Sequence, residues 1–168
     1  MTKKRVLRAE RVGLVFASAL FMSACSETYQ STAVQKPVPV VKATLVLSDS
    51  APPVGGALVV SVQALADQGT VGSYTAKINY DANALRFDGE IAISDQALRA
   101  SNPSPGLVRF AGAAASGFIN GRLASYRFVV LRANSARTLS LAVDEMHMIT
   151  RLDAKTGLIV APNSTTSR

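Results

Sequence analysis

The stretch YTAKINYDANALRF, residues 74–87, carries the strongest structural signal in the chain. Tyr74, Ala76, Ile78 and Tyr80 are apolar or aromatic, and Thr75, Lys77 and Asn79 between them are polar. A period of two puts alternate side chains on opposite faces of a β-strand, one for a core and one for solvent or a partner. With Ser73, the polar side reads Ser73, Thr75, Lys77, Asn79. Asp81 ends the strand and can accept backbone N–H bonds of the next turn. Residues 81–85 are expected to form one helical turn, after which Leu85 and Phe87 return to the core.

The same alternation recurs on both sides of this stretch. Leu58, Val60, Val62 and Ala64 share a face, as do Ala124, Tyr126, Phe128 and Val130, and Leu139, Leu141 and Val143. Turn residues punctuate the runs: Pro52-Pro53 with Gly55-Gly56, Asp67 to Gly69, Asp88-Gly89, Asn102 to Gly106, Asn120-Gly121, Asn134-Ser135, and Asp153 to Gly157. Asn120-Gly121 predicts a two-residue hairpin, because both residues tolerate positive φ. The small residues Gly112 to Ala115 predict close approach of another backbone or sheet. The pattern predicts an all-β fold, an antiparallel β-sandwich (jelly-roll) of about nine strands.

The ends differ in composition. Residues 1–11 are basic and residues 12–22 apolar and uncharged, the order of a secretory signal, too short to span a bilayer. Residues 1–24 are read as a signal peptide. Met22-Ser23-Ala24-Cys25 resembles the lipobox of bacterial lipoproteins, with Met22 where Leu, Val or Ile is usual. That resemblance implies lipidation of Cys25, a membrane partner through the lipid anchor, and a place in the cell envelope. Ser26 after the cysteine implies the outer membrane. The alternative is an ordinary signal peptide cut near Ala24, with Cys25 incidental. Cys25 is the single cysteine of the chain, so no internal disulfide can use it. Residues 25–41, polar and then carrying Pro37 and Pro39, read as a tether; residues 42–161 as the sandwich; residues 162–168 as a disordered tail. Five of the 18 basic residues and one of the 11 acids lie in residues 1–24, leaving 13 against 10 and a net charge of +3. The remaining arginines are scattered singly, which argues against nucleic acid as a partner.

Several motifs in order resemble the cohesin family. These are Ile78-Asn79-Tyr80-Asp81 running on to Leu85 and Phe87, Gly106 to Gly112 followed by Ser116-Gly117, Gly121-Arg122-Leu123-Ala124 followed by alternating apolar residues to Val130, and Leu139 to Glu145. The resemblance covers about residues 43–160 and implies a cohesin-like or carbohydrate-binding-module-like sandwich. It further implies a noncatalytic receptor for a dockerin-like protein partner on a flat sheet face. By that resemblance Ser73, Thr75, Lys77 and Asn79 are the candidate partner-binding face, with Ser73 and Thr75 where family cohesins often place Asn and Asp; the alternative is a solvated face without a partner.

Catalysis finds little support in the residue types. His147 is the lone histidine, and a zinc site needs several His or Cys ligands. There is no nucleophile elbow and no phosphate-binding glycine loop. Asp144 and Glu145, adjacent on a strand, are expected on opposite faces, unsuited to paired acid–base work. Asp95 and Asp153 do not sit in dense acidic loops. No enzyme activity, metal or cofactor is expected. Two other readings are a carbohydrate-binding module that takes polysaccharide, with Phe118 as the exposed ring, and a structural component of an envelope complex. The chain has no Trp, and Tyr74, Tyr80, Phe87, Phe110, Tyr126 and Phe128 fall on apolar phases.

Overall fold

The computed structural model describes residues 37–166. The expected signal sequence, Cys25 and most of the expected tether lie outside them. Ten strands follow in order: β1 (Val41–Leu47), β2 (Ala57–Ala66), β3 (Val71–Asn79), β4 (Leu85–Glu90), β5 (Leu98–Ser104), β6 (Leu107–Ala113), β7 (Arg122–Val130), β8 (Ser140–Met148), β9 (Leu158–Val160) and β10 (Ser164–Thr165). They form two sheets. The larger runs β10-β1-β2-β7-β4, with β9 also on β1, and the smaller runs β5-β6-β3-β8.

The alternation read from the sequence sets which side chains meet between the sheets. Leu58, Val60, Val62 and Ala64 of β2, and Tyr126, Phe128 and Val130 of β7, are buried against Tyr74, Ala76 and Ile78 of β3 and Val108 and Phe110 of β6, all within one core. Rings from both sheets interlock at the centre. Phe110 meets Tyr126 at 5.5 Å between centroids, and Phe128 meets Tyr80 at 5.1 Å, both edge to face. Such pairs contribute about 0.5–1.5 kcal/mol beyond area burial. The buried phenols reach backbone acceptors, Tyr74 donating to the Leu123 carbonyl at 2.8 Å and Tyr80 to the Ser104 carbonyl at 3.1 Å.

Five details depart from the sequence reading. First, the sandwich is not antiparallel throughout, because β9 and β10 both pair in parallel with β1. Second, the tail expected to be disordered supplies β10. Thr44 Oγ1 donates to the Pro162 carbonyl at 2.9 Å, and the Thr166 N–H donates to the Leu47 carbonyl at 2.9 Å. The free edge of β1 offers backbone partners that a polar sequence accepts as readily as an apolar one. Third, Asn120-Gly121 does have positive φ, at 52° and 65°, but it turns the chain from the smaller sheet into the larger one instead of closing a hairpin. Fourth, Gly112 makes room for a ring, not a backbone: a Cβ there would lie 2.8 Å from the Tyr74 ring. Fifth, the apolar phase of β8 flips from Leu139 and Val143 to Met146 and Met148, because Asp144 is an extra residue against β3. Residues 81–85 form a turn in which Asp81 accepts from the Asn83 N–H at 2.8 Å.

Candidate binding face

The outward side of the smaller sheet holds all four residues of the candidate face, and strand register gives its layout. Ser73 lies between Ala113 on β6 and His147 on β8, and Thr75 between Ala111 and Glu145. Lys77 lies between Arg109 and Ala142, and Asn79 between Leu107 and Ser140. On the far side of β6, Leu98 pairs Ala113 and Ala100 pairs Ala111. The upper half of the face is therefore floored by alanines, and a shallow open depression of about 410 Å³ lies there. Leu98 stands at its β5 rim, and Glu145 and His147 at its β8 rim.

The bulge in β8 changes the electrostatics. Asp144 and Glu145, expected on opposite faces, both point outward, because an inserted residue lets neighbours share a side. Asp144 takes Lys77 Nζ at 3.0 Å, with both side chains substantially exposed. Arg109 and Lys77 against Asp144 and Glu145 leave this face nearly balanced in charge.

Arg99 braces the depression from beneath. Its neighbours on β5 point outward, and its own guanidinium runs inward across the core rim. Nε donates to the Leu123 carbonyl on β7 at 2.6 Å, and both terminal nitrogens grip Asp95, at 2.5 and 2.7 Å. The charged hydrogen bonds from Arg99 hold the Asp95 carboxyl below the usual carboxylate range and the guanidinium above its own. Burial pushes the Tyr74 phenol up to about 12, and pushes the Tyr126 phenol further still. The guanidinium also lies over the Phe118 ring, 5.3 Å from its centroid.

That contact corrects the reading of Phe118 as an exposed ring. Phe118 does sit in the loop before β7, yet it is only 2% exposed, 5.1 Å from Tyr74 between centroids. The loop folds it inward because the Phe118 N–H donates to the Val71 carbonyl, closing the end of the sandwich over the ring. Among the described residues no aromatic ring stands exposed as a stacking platform. His147 occupies the edge strand, where its backbone pairs antiparallel with that of Asp153; the Asp153 side chain accepts from the Lys155 N–H. Among the described residues no group of three or more His, Cys, Asp or Glu is placed to hold a metal ion. The Arg99–Asp95 brace was missed in sequence, because an acid four residues before an arginine signals a pair only on a helix, and here Asp95 lies in a loop and Arg99 on a strand.

Two stacked sheets around one apolar core define a β-sandwich. The fold is cohesin-like. A non-cellulosomal cohesin from the archaeon Archaeoglobus fulgidus superposes with a TM-score of 0.54 at 19% identity, over 74% of this chain and 88% of that one. The second type II cohesin module of the adaptor scaffoldin of Acetivibrio cellulolyticus gives 0.53 at 13% identity, over 78% and 98%. The sixth cohesin of that organism's scaffoldin B, solved in complex with a dockerin, gives 0.52 at 16%, over 73% and 99%. The sequence itself matches no protein-family profile and no curated protein.

Proposed function

We propose that this chain is a noncatalytic protein-binding module that takes its partner on the outward face of the smaller sheet. One observation carries the reading: the polar row Ser73, Thr75, Lys77 and Asn79 runs along an open sheet face beside an alanine-floored depression, within a cohesin-like fold. A floor of small residues admits a partner's side chains closely, and the flanking hydroxyls, amide and charges fix its orientation. A dockerin-like partner is the finer reading, supported by the cohesins of this fold solved with dockerins. The anchor is proposed on Cys25, placing the module in the cell envelope, at the outer membrane where one exists.

The test is site-specific crosslinking. A photoreactive residue at Thr75 is expected to capture a protein in the native envelope that the same residue at Val59, on the other sheet, does not. Binding of that protein, once purified, should fall at least tenfold with Ala111→Arg, while thermal unfolding stays unchanged. Equal capture from both positions, or full binding by Ala111→Arg, overturns the assigned face. Labelling with a radioactive fatty acid that persists in Cys25→Ser removes the anchor.

A further inference from the structure

Exposed apolar side chains are distributed unevenly over this domain. Val38, Val40, Leu65, Ile119, Ile149 and Ile159 are all exposed, with Leu65 at 57% and Ile159 at 55%. All six lie at one end of the sandwich. This is the end where β1 begins and where β2 and β8 finish. Leu98, at the start of β5, is on the same end and is 76% exposed, whereas the opposite end exposes Val54 and Leu131.

The six form a connected collar. In register, Lys42 of β1 lies between Ile159 of β9 and Leu65 of β2. A Cβ on Gly121 would meet Leu65 Cδ2 at 2.9 Å, which places the turn bearing Ile119 beside Leu65. A Cβ on Gly157 would lie 3.4 Å from Val38 Cγ1, joining the 37–40 segment to the start of β9. An apolar cleft of about 240 Å³, lined by Pro37, Pro39, Met148, Ile149 and Leu152, joins that segment to the end of β8. Three cations, Lys42, Arg122 and Arg151, stand exposed around this end, and none joins the ion pairs found among the described residues. Two exposed carboxylates share this end, Asp67 and Asp153, each accepting a backbone N–H, from Val40 and Lys155, while Asp95 is held by Arg99.

Branched apolar side chains interspersed with cations that join no ion pair found among the described residues suit the headgroup–acyl boundary of a bilayer. The apolar groups leave water there and the basic groups stay among phosphates. The chain outside the described residues points to the same occupant. It enters at this end, and it carries Cys25, the proposed anchor. From Cys25 to Val41 it spans 16 residues, a reach of at most about 55 Å. We infer that the chain-entry end of the sandwich rests on a lipid bilayer, with the apolar collar in the interface and the smaller-sheet face standing roughly perpendicular to the membrane and open to a partner. The inference rests on the anchored reading for proximity alone.

The absence of tryptophan gives a background-free test. Leu65→Trp, Ile119→Trp, Ile159→Trp and Val54→Trp are each made in the full, natively processed chain. Each is reconstituted on phosphatidylethanolamine–phosphatidylglycerol vesicles with plain or brominated acyl chains. The first three are expected to be quenched by the brominated lipid at least twofold more than Val54→Trp, with emission shifted to the blue. All four positions are on the surface, and unchanged thermal unfolding shows that each variant is folded. Equal quenching of all four, or no quenching while the chain floats with the vesicles, overturns the docking and leaves the anchor intact. A chain that does not float removes the anchor instead. The same variants at high lipid excess then decide docking by the same contrast.

Discussion

Replacing Phe118 with Ala tests the burial on which the candidate face depends. The ring is almost fully buried between Tyr74 and the Arg99 guanidinium. Removing a buried phenyl forfeits about 2–3 kcal/mol of transfer free energy. The Ala64 and Val71 backbones that close the loop limit collapse, so a residual cavity adds to the loss. The loss of the cation–π contact adds about 0.5–1 kcal/mol. The sum falls at about 3–5 kcal/mol, in line with other buried Phe→Ala changes. For a domain of this size, near 130 residues, that corresponds to a fall in Tm of about 10–15 °C. Calorimetry or urea unfolding of the variant measures it. A loss under about 1 kcal/mol would mean that the ring stands in solvent, and both the brace and the closed loop would have been misread.

Other predictions follow from individual contacts. Asp95→Asn should flatten the acid limb of stability. The folded carboxyl titrates below its unfolded range, so its contribution is present above about pH 4 and is lost as pH falls through the folded value; thermal unfolding at a series of pH values should show the wild type losing stability there more steeply than the variant. Gly121→Ala meets both positive φ and the Ala64 carbonyl oxygen, whereas Gly55→Ala has positive φ and open space. The first should cost at least about 2 kcal/mol and the second about 1 kcal/mol in denaturant unfolding, so equal costs would refute the clash. Ser135 Oγ is buried without a hydrogen-bond partner. Ser135→Ala should therefore be neutral or stabilising by up to about 1 kcal/mol in the same assay, and a loss of that size would reveal a partner for the hydroxyl.

The period of two in β2, β3 and β7 was legible because each sends alternate apolar side chains into the core, although Ser125 on the other side of β7 is itself buried. The candidate row on β3 came from the same signal. Strand β5 was not legible: its stretch, Leu98 to Ser104, contains Pro103 and reads as a turn, and only pairing with β6 makes it a strand. An edge position tolerates the missing N–H. The bulge at Asp144 was invisible for a different reason. An inserted residue leaves composition unchanged and shifts only the phase, which is read reliably only once the partner strand is known. Phe118 misled because a loop in sequence need not be a loop in solvent; here the loop is the lid of the core. The parallel edge was beyond reach, since nothing in Leu158 to Thr165 specifies which side of which strand it joins.

That edge has a mechanical consequence. Strand β1 runs alongside β9 and β10 in the same direction. A pull applied between the two ends of the chain would drag these neighbours lengthwise in opposite senses. Their hydrogen bonds would then be loaded together in shear instead of being unzipped one at a time. A chain pulled from its two ends is thereby clamped along its own seam.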